Sequence, residues 1–560
     1  MGKGKTFFRA CLLIYVERMY GSRIGIKELF PMKTKERSMV TGALILSGAA
    51  LFVRMAGFVF RIYLSNAMGA EGMGVHMLIM SLYNVCVTLA TSGVATAVST
   101  LCAQQLALGR EDNARQVLRR AFLLALLIST AVGAAVFLFA RPIGVVILKE
   151  ARTVASLRVL AMGLPFLSLS ACVRGYFVAS RRVGNPAAAQ ILEQLVKMTF
   201  IMALLGYWLP QGIEYGCLVV VGGMTVGEIV CFVFSYCGYR QGKRRAAKPN
   251  RAVNALTGVT GKILAVIVPL SLSAYVRSFL RLAEDVLILY CLKIFSGQDA
   301  VATGLYGMLK GMVMPLLIFP LMLLSAFVCT LTPEISRLHT AGSTKKMEQT
   351  IGVILRYTFI VGILVVAVFM TFPQEIGTAV YKNEQVGELL RRLAFLCPFM
   401  CVEMVVVGIL NGMGAQITSM KYAIADSLLR IGLVYWLIPG RGIDGFTVMV
   451  VASNLFTSVL NFMHLMKLAQ ITIRFNEWMI KPALAAAAAS QILRAVWHWL
   501  PASTPENLWR SLVPGLGGIV VLYGAVLFAI GSVQAGDFRW IAGQIKSAGK
   551  VPRSAPEKLV

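Results

Sequence analysis

Arg54 and Arg61 stand seven residues apart in one apolar run, near 40–63, so a helix puts both guanidinium groups on one face. No acid in that run can neutralise them. A charge at mid-membrane costs roughly 3 kcal/mol on insertion scales, so such groups seek a wet cavity or a partner. Arg54 is the deeper of the two and is expected to face a cavity; Arg61 either shares it or snorkels to the interface. A later run, near 262–291, carries Arg277, Arg281, Glu284 and Asp285. Arg281 and Asp285 have the spacing of an i,i+4 pair, which leaves Arg277 without an acid one turn on. Lys310, in the next run, either adds a cation to the cavity or snorkels outward. Arginine binds phosphate oxygens in a bidentate fork. A path lined by Arg54, Arg61, Arg277, Arg281 and Lys310 therefore suits a phosphate or pyrophosphate head group and repels organic cations.

The acids supply a second chemistry. Glu193 with Lys197, and Asp426 with Arg430, are i,i+4 pairs with the acid first, the favourable order. Each reads as an internal ion pair present once per half, or as a coupling site for Na⁺ or H⁺. Asp285, Asp426 and Glu193 are the ion-coupling candidates. Carrying an anion outward across an inside-negative membrane is favourable by about 2.3 kcal/mol per charge per 100 mV. Resetting the empty cationic site is then uphill, and a co-bound cation offsets it.

These residues fall on a repeat. Leu157-Arg158-Val159-Leu160-Ala161 with Pro165-Phe166 returns 233 residues on as Leu390-Arg391-Arg392-Leu393-Ala394 with Pro398-Phe399. The same offset takes Gly74 to Gly307, Gly109 to Gly342, Gly175 to Gly408, Glu193 to Asp426 and Lys197 to Arg430. The chain therefore reads as two copies of one membrane unit, an arrangement that usually puts a substrate path at the seam. Pro165 and Pro398, equivalent under the offset, are the hinge candidates.

The 560 residues are 58% hydrophobic and 14% charged, a balance that no soluble fold needs. Runs of about 20 apolar residues cross a hydrocarbon layer, and only as helices. Hydropathy gives about 14 spans: six in residues 40–238, six in 262–466, and a pair in 467–532. Six is even, so both copies enter from one side and the repeat is parallel. Lys and Arg concentrate in alternate loops, which puts the N- and C-termini in the cytoplasm. The basic loop 239–261 joins the copies and 533–560 is a cytoplasmic tail. Residues 1–39 form a basic extension, which either lies on an anionic membrane surface or precedes a start at Met32 or Met39.

The net charge of +29 sits in short loops, which argues against nucleic acid as a partner. No Gly-Lys-Ser/Thr phosphate loop, hydrolytic constellation or metal spacing occurs, so no enzyme and no metal or cofactor is expected. His76, His339, His464 and His498 are isolated. The 11 cysteines lie mostly in apolar runs and imply no disulfide framework.

Arg54-Met-Ala-Gly57-Phe58-Val-Phe-Arg61, Gly69-Ala-Glu-Gly72-Met-Gly74 and Arg174-Gly175-Tyr176-Phe177 with Gly184-Asn185-Pro186 resemble the polysaccharide-exporter and lipid II flippase-like family. Tyr306-Gly307 through Pro315 to Thr332-Pro333-Glu334-Ile335-Ser336 adds to this, and the branch it resembles most is that of the stage V sporulation protein B-like flippases. The resemblance covers roughly residues 40–470. It implies an all-α polytopic membrane protein of the MATE-like fold, two six-helix lobes in a V plus two C-terminal helices. It also implies alternating access for a lipid-linked oligosaccharide, with arginines of the first helix in a cationic cavity. The expected cargo is an undecaprenyl-pyrophosphate-linked peptidoglycan precursor, crossing the cytoplasmic membrane. Membrane lipids and cell-wall synthesis proteins are the expected partners. The rival readings are a cation-coupled multidrug antiporter of the same superfamily and a non-transporting scaffold in envelope or spore assembly.

Overall fold

The computed structural model describes residues 37–182, 184–245, 259–469, 475–497 and 508–532. Expectations for 1–36, 246–258 and 533–560 lie outside the described residues. Every described element is helical. That follows from the composition: in lipid, a helix is the one local structure that satisfies all its own backbone groups.

The first half comprises α1 (Arg37–Thr91), α2 (Val94–Ala107), α3 (Glu111–Leu138), α4 (Val154–Ala179), α5 (Gly184–Trp208) and α6 (Ile213–Arg245). The second begins with α7 (Val259–Ser296) and α8 (Asp299–Tyr306), which runs through a π-helical turn, Gly307–Val313, into α9 (Met314–Thr340). Next come α10 (Thr344–Thr371), α11 (Pro373–Tyr381), α12 (Glu384–Leu393), α13 (Cys397–Gly412) and α14 (Gln416–Ala469). A last pair, α15 (Lys481–Trp497) and α16 (Leu508–Ala529), packs together.

Ten helical stretches among the described residues are long and apolar enough to cross a membrane, or eleven with the bent α7 counted as one. The protein is a multi-pass integral membrane protein. The stretch count is lower than the 14 hydropathy runs because two stretches each hold two runs and α15 is only 17 residues long. Two stretches run 60 and 54 residues, or about 80–90 Å at 1.5 Å per residue, far beyond a 30 Å hydrocarbon layer. The 54-residue stretch is two helices joined at Gly442 (φ 53°), and the 60-residue stretch is three, the two limbs of α1 joined at Gly69 (φ 70°) and α2 after the turn at Gly93 (φ 73°). Without a Cβ, glycine turns the chain there at little steric cost.

Positions related by the 233-residue offset adopt the same backbone. Gly109 and Gly342 are both left-handed (φ 71° and 63°). So are Lys149 and Lys382 (φ 55° and 53°), although an L side chain there costs about 1–2 kcal/mol. Arg181 and Gly414 end α4 and α13 in the same way. Arg181 N–H bonds Val178 O and Arg182 N–H bonds Phe177 O; Gly414 N–H bonds Asn411 O and Ala415 N–H bonds Leu410 O. This is the Schellman cap, with glycine in one half and arginine in the other. Packing repeats too. A Cβ on Gly175 would meet Ala95 O at 2.6 Å, and one on Gly408 would meet the Val328 side chain at 2.3 Å, with Ala95 and Val328 themselves offset equivalents.

The prolines sit differently. Pro165 lies inside an unbroken α4. Pro398 opens α13 directly after a single 3-10 turn, Ala394–Leu396, where proline's missing N–H costs nothing.

Candidate functional site

The two halves meet along both limbs of α1 (before and after Gly69), the long α7, and the α8–α9 helix. At the Gly69 end the contact is backbone to backbone. A Cβ on Gly74 would lie 2.0 Å from Thr303 O; one on Gly307 would lie 1.9 Å from Ala70 O and 2.5 Å from Gly74 N. Gly74 and Gly307 are offset equivalents, and so are Ala70 and Thr303, so the contact is related to itself by the repeat. Asn66 Nδ2 donates to Val380 O at 2.7 Å and Lys293 Nζ to Lys149 O at 2.8 Å, closing the same end. Further along, Ser278 donates to Thr88 (2.8 Å) and Ser271 to Ser92 O (3.0 Å).

Arg54 reaches across this seam. Its side chain is exposed, and Nη1 donates to Ser325 Oγ on α9 in the other half. One turn away, Phe58 stacks on Phe319 of α9, ring centroids 4.4 Å apart. Arg61 is half-buried, its Nη2 3.7 Å from Met77 Sδ. Its charge acts on Tyr381 of α11, whose buried Oη has no hydrogen-bond partner among the described residues. His76, next to Met77 in sequence, is buried with Nδ1 equally unpartnered. Arg277 and Arg281 are exposed on α7, and Arg277 Nε donates to Ser273 O, at 3.4 Å. Among the described residues, no carboxylate lies in ion-pair range of Arg54, Arg61, Arg277 or Arg281. The i,i+4 pair foreseen for Arg281 and Asp285 is therefore absent. Asp285 turns to the seam, where Ser81 of α1 donates to it.

Lys310 departs from expectation. Its ammonium lies 2.9 Å from Asp285 Oδ1 and 3.2 Å from Glu284 Oε1, so it is neutralised rather than free. Burial explains this: a lone ammonium on that π-turn would be stranded in the packed interior, and two acids one residue apart on α7 satisfy it. The network continues. Arg430 Nη1 is 3.5 Å from Glu284, and Nε donates to Asp426 at 3.0 Å and to Ser453 at 2.6 Å, while Ser453 donates to Asp426. Asp285 and Asp426 thus belong to one buried cluster, in which Glu284, Asp285 and Asp426 face Lys310 and Arg430, three acids against two bases. Glu284 is its hub. Its partners come from helices 26 and 146 residues away, which no local spacing reveals.

Glu193 lies apart, in the first half. The ion pair expected there is not formed: among the described residues Glu193 and Lys197 are not within 4 Å of each other, and the pair exists only as Asp426–Arg430. Two acids of the first half are buried: Glu150, which pairs with Arg152, and Glu228, which has no ion-pair partner among the described residues. Glu228 is the one near Tyr83: Tyr83 Oη sits 3.5 Å from its Oε1, and its Oε2 has no partner beside a void of about 10 Å³. No group of three or more His, Cys, Asp and Glu among the described residues is arranged to hold a metal.

The described residues thus form an all-helical membrane protein with two related halves, bridged by an Arg54 that has no carboxylate partner among them; the family it belongs to is one of transporters, not enzymes. The family follows from comparison with known proteins: the chain belongs to the family described as polysaccharide biosynthesis protein, whose model matches residues 39–339, and the MatE model matches residues 287–436. The chain is 24% identical to stage V sporulation protein B of Bacillus subtilis (strain 168) over 457 residues, 80% of this chain and 88% of that one. It is 22% identical to lipid II flippase MurJ of the same organism over 337 residues, 56% and 60% of the two chains. Among solved structures, lipid II flippase MurJ in an inward closed conformation matches with a TM-score of 0.65 at 13% identity, over 87% of this chain and 99% of that one. An inward-facing multidrug resistance MATE transporter matches at 0.58 and 16% identity, over 75% and 98%. The fold is that of this exporter superfamily.

Proposed function

We propose that the protein flips an anionic lipid-linked oligosaccharide, an undecaprenyl-pyrophosphate-linked peptidoglycan precursor, across the cytoplasmic membrane by alternating access. The observation that carries this reading is Arg54. It is a guanidinium without a carboxylate, exposed at the seam, and held by a neutral hydroxyl of the opposite half. A neutral hydroxyl can be exchanged for a pyrophosphate, which adds charge–charge attraction and a bidentate fork to the single bond it replaces. Arg61, Arg277 and Arg281 extend the cationic surface. The names of the relatives, a lipid II flippase among them, favour the same cargo.

In this reading the chain makes 14 crossings: two parallel lobes, 40–238 and 262–466, joined by 239–261 and followed by the helix pair of 467–532. Both termini are cytoplasmic. Pro165 and Pro398 act as hinges, the latter beside the 3-10 break of its helix. The Glu284–Asp285–Asp426 cluster carries one negative charge more than Lys310 and Arg430 supply, and a co-transported Na⁺ or H⁺ balances it. Glu193, the offset equivalent of Asp426, is the coupling acid of the first lobe.

The test is to deplete the protein in cells and count the lipid-linked precursor on each membrane face, with wild type, Arg54→Ala or Arg277→Ala supplied in return. The precursor is expected to build up on the inner face with either variant. Drug efflux with normal precursor distribution in the variants would point to the antiporter instead, and intact envelope assembly without any transport defect to a scaffold.

A further inference from the structure

A cavity that no seam residue lines lies at the ends of α2, α3, α4 and α6. It measures about 380 Å³ and is lined by Glu111, Arg115, Tyr176, Arg181, Arg182 and Tyr239, with apolar residues of α2 on its remaining wall. That volume falls in the range of small-molecule sites, about 300–1,000 Å³. Tyr176 and Tyr239 meet edge to face at 5.2 Å and form an aromatic corner. Arg115 is fixed by Glu111 at 3.2 Å and Asp112 at 3.3 Å. Arg181 and Arg182 are exposed and have no carboxylate partner among the described residues.

The repeat isolates what is special here. In the second half, Arg115 becomes Glu348, Tyr176 becomes Ile409, Arg181 becomes Gly414 and Arg182 becomes Ala415. The backbone at that place is unchanged, since both halves close their helix with the same two capping bonds. Glycine is the unstrained residue for the left-handed position, and the second half has it. The first half keeps an arginine there at a steric cost. The capping bonds form with glycine as well as with arginine, so the Arg181 side chain is free to serve binding.

We propose that this cavity is a binding site for the phosphate of an anionic phospholipid head group. Arginine forks and tyrosine hydroxyls match phosphate oxygens, and basic pockets at the ends of membrane helices take such head groups. The lipid source, rather than a phosphate from water, is favoured by the surroundings. The walls are the ends of membrane-crossing helices, and Leu108 and Val178 beside them are exposed apolar residues (63% and 44%) along which an acyl chain can lie. None of the seam arginines lines the site, which does not depend on the identity of the cargo.

The experiment uses the full chain purified in detergent. Thermal unfolding and native mass spectrometry are read with added phosphatidylglycerol, phosphatidylcholine or inorganic phosphate. Wild type should be stabilised by phosphatidylglycerol and not by the other two. In R181G/R182A, which adopts the residue its own repeat uses at the strained position, the apparent affinity for phosphatidylglycerol should fall at least about tenfold, with the unfolding temperature of the lipid-free protein unchanged or raised. K345A/K346A removes the same charge from the second half and should bind as wild type does. The proposal is overturned if R181G/R182A binds phosphatidylglycerol like wild type, or if K345A/K346A loses as much. An equal response to inorganic phosphate overturns the lipid assignment.

Discussion

Replacing Gly307 by alanine tests the seam. The new methyl carbon would sit 1.9 Å from Ala70 O and 2.5 Å from Gly74 N, both backbone atoms that cannot rotate away. Restoring ordinary contact requires the two helices to part by about 1.5 Å, and overpacking of this kind costs about 1–3 kcal/mol. That is roughly a 5-fold to 150-fold loss of the closed arrangement relative to any state in which the halves separate at this end. Gly304, one turn away on the same helix, is the control, because its nearest outside atom is 4.0 Å from a built Cβ. The assay is the distance distribution between spin labels at Ala67→Cys and Lys382→Cys, which flank the Asn66–Val380 bond. The exposed Cys237 and Cys329 are changed to serine. Gly307→Ala should shift the distribution to longer distances and Gly304→Ala should not. Identical distributions and thermal stability for Gly307→Ala and wild type would refute the reasoning that these glycines hold the end shut.

Lys310→Met should be strongly destabilising, by about 3–5 kcal/mol, because it leaves Asp285 without a cation and Glu284 with Arg430 alone; thermal unfolding reads this, and adding Asp285→Asn should restore part of the loss. Arg181→Gly alone should stabilise the lipid-free protein by about 1 kcal/mol through release of left-handed strain, measured by the same scan. Arg54→Ala should leave stability nearly unchanged, since it removes one exposed bond to Ser325, worth about 0.5–1.5 kcal/mol at most, yet abolish transport. Loss of folding in that variant would argue that Arg54 is structural.

The repeat was readable because glycines and left-handed positions impose local constraints that survive divergence: Gly109 and Gly342, Lys149 and Lys382, Gly175 and Gly408 each hold the same backbone or the same close approach. Hydropathy located apolar runs but not helix continuity, since Gly69 and Gly442 let helix pass through a turn with one residue out of register. The arginines of α1 and α7 stood out because no acid lay within a turn of Arg54, Arg61 or Arg277. Pairing at longer range was invisible. Lys310 looked free because its acids lie on another helix, and Glu193–Lys197 looked paired because spacing permits a pair without enforcing one. The basic cavity of α2, α3, α4 and α6 gave no signal, since Arg115, Tyr176, Arg181, Arg182 and Tyr239 are brought together only by helix packing.

The central claim is that unneutralised guanidinium groups at the seam carry a negatively charged lipid head. Its most direct measurement is the purified protein in proteoliposomes loaded with a fluorescent polyprenyl-pyrophosphate sugar, with arrival of the label at the opposite leaflet followed by an impermeant quencher. Translocation by wild type and its loss in Arg54→Ala and in Arg277→Ala are predicted. Equal translocation by wild type and both variants, or none by wild type, would contradict the account.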